Sequence, residues 1–175
     1  MSIIHNIFTK QPLEISKLNK FISKIDGATY ADRGEGVFYF WVDKKSTRGF
    51  DITLEQDYIE VRNTVLSNKY DYDLTNKVVK EILALTDGFI INEDDELVTS
   101  LPIFDSNRIT KTEIDDCETI QGFSKENEDI TIFGPIRKVH FGKRLHEKFK
   151  DLKGEQLKDK IFDLILTVNY QIPNY

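Results

Sequence analysis

From Val37 to Val65 apolar side chains return at every second position in three successive runs. A chain that does this three times over needs a sheet with one face to bury them. The first run, Val37-Phe38-Tyr39-Phe40-Trp41-Val42-Asp43, is built of the β-branched and aromatic residues that pack well on a pleated surface. Lys44 to Gly49 is polar and reads as a turn. Phe50, Ile52 and Leu54 then alternate with Asp51 and Thr53. After a turn at Gln56-Asp57, Ile59, Val61 and Val65 alternate with Tyr58, Glu60, Arg62 and Thr64. The three runs predict an antiparallel meander with one face buried and one wet.

Helical stripes flank the meander. Leu13, Leu18, Phe21, Ile22 and Ile25 recur at steps suited to a helix, stopped at Gly27, with a short strand before it over Ile3 to Phe8. Leu74, Val78, Ile82 and Leu85 predict a second helix, capped by Asp73 or Thr75 and closed by Gly88 in a left-handed conformation. Phe89 to Ile91 follows as a strand, so the first half reads β-α-β-β-β-α-β. The polar stretch 105–129 reads as an insertion or mobile loop carrying one or two edge strands. Strands are expected over Ile130 to Phe133 and 136–141, and a helix near Lys143. A final helix runs through Leu157, Ile161, Leu164, Ile165 and Val168, and the tail from Tyr170 to Tyr175 reads as irregular. The expected fold class is α+β: one domain over 1–175, a mainly antiparallel sheet, and about four helices packed on one face.

The 175 residues carry a formal net charge of -6, which disfavours nonspecific attraction to nucleic acid or anionic membrane and suits a basic protein partner. Cys117 is the single cysteine, so no internal disulfide forms and a reducing compartment is expected. No leader pattern opens the sequence and no apolar run approaches bilayer length, so the expected location is cytoplasmic. Frequent Lys, Ile and Asn suggest an AT-rich bacterial genome.

Local signatures of chemistry are sparse. Cys117 sits among carboxylates in Glu113-Ile114-Asp115-Asp116-Cys117-Glu118, the wrong field for a reactive thiolate. His140 and His146 lack the spacing that places two imidazoles on one metal, and Glu93-Asp94-Asp95-Glu96 lacks the alternation and glycine of a calcium loop. Gly34-Glu35-Gly36 reads as a plain turn between a helix and a strand rather than a phosphate cradle. No catalytic residue, metal or cofactor is assigned.

Surface groups supply the remaining candidates. A partner is expected to meet the acidic residues Glu93, Asp94, Asp95, Glu96, Asp115, Asp116 and Glu118, and the aromatic pair Tyr39 and Trp41, which share strand parity. Tyr58, Tyr70 and Tyr72 would extend that aromatic patch. Asp115, Asp116 and Glu118 belong to an acidic run that also holds Glu113, Glu126, Glu128 and Asp129. A basic patch gathers Arg137, Lys138, Lys143 and Arg144. The expectation is a noncatalytic interaction module, in its sharpest version an immunity protein that plugs a bacterial toxin. The alternative is an enzyme whose site assembles near His140, His146 and scattered carboxylates.

Overall fold

The computed structural model describes residues 2–125 and 129–171, and within them the α+β architecture is borne out. Seven strands form one antiparallel sheet: β1 (Ser2–Phe8), β2 (Ala28–Asp32), β3 (Val37–Val42), β4 (Phe50–Leu54), β5 (Tyr58–Thr64), β6 (Phe89–Asn92) and β7 (Leu97–Val98). Their spatial order is β2-β3-β4-β5-β1-β6-β7, so the first strand is threaded between β5 and β6. Strand β2 is an addition to the expected order. Its Ala-Thr-Tyr-Ala-Asp lies at the sheet edge and carries no alternating apolar signal, so Gly34-Glu35-Gly36 joins two strands rather than a helix and a strand.

The register fixes which side chains share a face. On the inner face Phe38, Ile52, Val61 and His5 stand in one cross-strand row, and Ile59, Ile7 and Ile90 in the next. Helix α1 (Ile15–Ile22) and helix α2 (Lys69–Thr86) lay Leu18, Ile22, Leu74, Val78, Val79 and Ile82 over those rows and complete the first core. Each such buried aliphatic contributes roughly 1.5–3 kcal/mol relative to exposure.

The ends of α2 differ from expectation. Asn68, rather than Asp73 or Thr75, is the N-cap, in a reciprocal capping box with Asp71. Thr75 lies buried one turn further in, where its hydroxyl donates to the Asp71 carbonyl at 2.8 Å. At the other end Asp87, with φ of 48°, takes the left-handed position expected of Gly88. Gly88 is required for a different reason: a Cβ there would lie 2.6 Å from the Phe8 carbonyl oxygen.

The stretch expected as an insertion or mobile loop is instead helix α3 (Ser106–Lys125), started by Asp105, whose carboxylate accepts from the Arg108 N–H at 2.8 Å. Its buried stripe is Ile109, Glu113, Cys117 and Ile120. Two of those four are not aliphatic, which hid the helical period in the sequence. Residues 126–128 and 172–175, with the expected Glu126 and Glu128 of the acidic run and most of the irregular tail, lie outside the described residues. Tyr170 itself belongs to a π-helical turn, Thr167–Gln171.

A second core gathers Leu66, Cys117, Ile120, Ile132, Phe141 and Leu157 with their neighbours. It is built from α3, the hairpin of β8 (Ile130–Phe133) and β9 (Lys138–Phe141), α4 (Lys143–Phe149) and α5 (Gly154–Leu166). No described helix is long and apolar enough to cross a membrane.

Candidate functional site

Strand alternation leaves a second sheet face to account for. Its cross-strand rows run Ala31–Tyr39–Asp51–Arg62–Ile4 and Val37–Thr53–Glu60–Asn6–Ile91–Leu97, closed at one end by Tyr58–Phe8–Phe89. All of these residues are half-buried or exposed, apart from Tyr39. The two apolar ends of this face behave differently.

At the β2–β3 end the aromatics are consumed by the fold. Tyr39 is 5% exposed and its hydroxyl donates to the Arg48 carbonyl. Its ring stacks on Trp41 with centroids 5.3 Å apart, and the Arg33 guanidinium lies 3.8 Å above it. Arg33 also pairs with Asp51 at 3.1 Å. Of the expected pair only half-buried Trp41 offers surface. Tyr58 shares this face. Tyr72 is buried against Phe104 on the inner side, and Tyr70 lies on α2, so neither extends the patch.

At the β1–β6–β7 end the apolar side chains stay open. Phe8 stacks on Phe89 at 5.5 Å and meets Tyr58 at 5.6 Å. Phe89 is 45% exposed and Leu97 57%. Glu93, Asp94, Asp95 and Glu96 form the β6–β7 turn and are all exposed. The Asn92 side chain shapes that turn, its Oδ1 accepting from the N–H groups of Asp94 and Glu96 at 3.0 and 2.9 Å. Thus four adjacent carboxylates border the Ile91–Leu97 pair, at the end of β6 opposite Phe89. Phe8 and Phe89 were missed in the sequence, although strand parity places both on the face of Tyr58.

The other acidic candidates are mostly structural. Asp116 turns inward and accepts from the Leu66 N–H at 2.7 Å, and Glu113 accepts from the Lys69 N–H at 2.6 Å. Burial pushes both carboxyls above the ordinary range. Glu118 accepts from the Gly154 N–H at 3.2 Å, and Asp115 is exposed. In the basic patch the Arg137 guanidinium donates to the Val168 carbonyl at 2.9 Å, and Lys138 lies over the Phe133 ring at 4.9 Å. Lys143 and Arg144 are exposed at the start of α4.

The polar centre of the molecule is a cluster that sequence reasoning missed. Asp71 is fully buried. Its carboxylate accepts from the Asn68, Arg48 and Gly49 N–H groups at 2.9, 3.1 and 2.9 Å, and from the Thr47 hydroxyl at 3.1 Å. Burial pushes its carboxyl up, and these hydrogen bonds oppose the shift. Thr47 also reaches the Leu66 carbonyl at 2.6 Å, and the Tyr170 hydroxyl donates to the Ser46 carbonyl at 3.0 Å. Three of these four hydrogen bonds come from backbone N–H groups, so the cluster holds a loop rather than a substrate. The pattern Asn68-x-x-Asp71 was the available signal.

The histidines do not converge. His140 is exposed, with Nδ1 2.8 Å from the Thr131 hydroxyl. His146 lines a small cavity with Phe141, Phe149 and Leu157, and its Nδ1 is buried without a hydrogen-bond partner. His5 lies buried in the inner sheet row, edge-on to Phe104 at 5.3 Å. Cys117 is buried, and desolvation pushes its thiol well up. Among the described residues no group of three His, Cys, Asp or Glu could hold a metal.

A family model described as a domain of unknown function (DUF4299) matches residues 3–163. No curated protein and no solved structure matches the chain.

Proposed function

We propose a function for this chain, which belongs to the DUF4299 family, as a noncatalytic module that binds another protein through the open face of its sheet. The observation that carries the reading is the Phe89–Phe8–Tyr58 row, left in mutual contact at the wet end of that face. Exposed apolar surface of this kind marks interaction sites more often than ordinary solvent-facing sheet. Seven strands at about 4.8 Å spacing give a face roughly 30 Å wide and about 20 Å along the strands. That is close to the roughly 800 Å² per partner of a standard complex once the β6–β7 turn is included.

The specific version is an immunity protein that occupies a bacterial toxin in the cytoplasm. It is supported by the acidity of the chain and by the four exposed carboxylates beside Ile91 and Leu97 on the same face. The test is co-purification of the tagged full chain from its native cells, run beside a Phe8→Ser, Phe89→Ser variant. A stoichiometric protein held by the native chain and released by the variant is the expected result. Equal retention by both would remove the sheet face from the reading, and no retained protein would remove the reading itself. Protection of cells that express the neighbouring gene's product tests the immunity version.

A further inference from the structure

The partner's chemistry can be read from the β6–β7 end of the open face, an inference that rests on the interaction reading above. Ile91 and Leu97 stand opposite each other across the β6–β7 ladder, on the same face as Phe89. The turn between them places Glu93, Asp94, Asp95 and Glu96 at the Ile91–Leu97 edge of that apolar surface, with Phe89 at the other end of β6. Among the described residues none of the four is engaged in an ion pair; the contact on a carboxylate is from the Asn92 side chain to Glu96 at 3.3 Å. By contrast Asp51 and Glu113 each have a cation within reach, Arg33 and Lys158. Four consecutive carboxylates without an ion pair among the described residues therefore stand next to Ile91 and Leu97.

Protein interfaces put an apolar patch at the centre and polar groups at the rim, and charges across them are complementary. A second copy of this chain would bring a like rim of four carboxylates against the first, and nucleic acid or anionic lipid would be repelled in the same way. We propose that the occupant is a basic protein. Its apolar centre packs on Phe89, Ile91 and Leu97 while its lysine or arginine side chains meet Glu93 to Glu96.

A labelled peptide of alternating lysine and valine serves as the probe, with fluorescence anisotropy against the folded full chain at low and physiological salt. The native chain binds it. Glu93→Lys with Asp94→Lys weakens binding by about tenfold or more, a change of about 1.4 kcal/mol. Phe89→Ser with Leu97→Ser, which leaves the charge intact, weakens it to a similar degree. Asp151→Lys with Asp159→Lys, two exposed positions outside the surface, makes the same change in net charge and leaves affinity within about twofold. Circular dichroism confirms that each variant folds. The proposal is overturned by failure of the native chain to bind the probe. Equal weakening by the two lysine pairs overturns it as attraction to net charge alone, and full binding by the serine pair overturns it as purely electrostatic. A partner found by co-purification with an acidic contact surface would sink the basic-partner inference and leave the interaction reading standing.

Discussion

Asp71 and Gly49 are joined across 22 residues by a hydrogen bond of 2.9 Å, from the Gly49 N–H to the buried carboxylate Oδ1. The same carboxylate caps its own helix through Asn68. One side chain therefore sets both where α2 starts and how the β3–β4 loop turns back. Removing it with Asp71→Ala leaves the Asn68, Arg48 and Gly49 N–H groups without that acceptor, while the Thr47 hydroxyl keeps the Leu66 carbonyl. At about 1–3 kcal/mol per buried orphan, partly relieved by water, the expected loss is about 3–5 kcal/mol in urea denaturation. Asp71→Asn keeps the shape but turns an amide donor against donors, and loses roughly half as much.

The β8–β9 turn is held by Asn169. Its Oδ1 accepts from the Ile136 and Arg137 N–H groups, both at 3.1 Å, and its Nδ2 donates to the Ile165 carbonyl at 3.0 Å. Gly134 lies against that carboxamide with no room for a Cβ. Gly134→Ala and Asn169→Ala are each expected to cost about 2 kcal/mol. Because both disturb one contact, the double variant should lose clearly less than their sum; strict additivity would refute the shared contact.

His5 gives the fold a pH dependence. Burial, and then the Arg108 charge, lower its pKa from 6.5 to about 4. The unfolded chain takes up a proton below pH 6.5 that the folded chain refuses until about pH 4. The stability from the neutral imidazole is complete above pH 6.5 and is lost as pH falls toward 4, by about 3 kcal/mol in all. Asp51, Glu113 and Asp116, whose carboxyls are raised by burial, act in the opposite sense. They are shared with His5→Leu, so the difference between the two stability curves isolates the histidine. That difference should change steeply between pH 6.5 and 4 and be flat above.

Cys117 should be silent in the native state. It is fully buried beside Asp116 and Glu113, which with burial hold it as the thiol. A disulfide-exchange reagent at pH 8 is expected to label it at least about a hundredfold more slowly than in guanidinium. Rapid native labelling would show that the α3–α5 contact opens.

Much of the sheet was legible because its strands alternate strictly. Phe50, Ile52 and Leu54 point one way whatever lies around them. Strand β2 was not legible, since an edge strand such as Ala28–Asp32 buries little and needs no alternating pattern. Helix α3 was missed because Glu113 and Cys117 stand in its buried stripe, and a buried carboxylate reads as solvent-facing until its partner, the Lys69 N–H, is seen. The acidic turn was recognised as surface. The apolar row at the other end of β6 was not, because Phe89 joins Phe8 and Tyr58 only through a register that runs β5-β1-β6, out of sequence order. Tyr39 shows the opposite error: parity placed it on the wet face, and Arg33 and Trp41 cover it there.

The loop from Ser46 to Gly49 touches α2, the Leu66 carbonyl at the second core and Tyr170 near the far end of the chain. Neither half can melt without stripping partners from that loop, so a calorimeter should record both halves in one sharp endotherm, with matching calorimetric and van't Hoff enthalpies. Cutting the tie with Tyr170→Phe would let the C-terminal helices come apart first, and the heat trace would broaden on its low-temperature side.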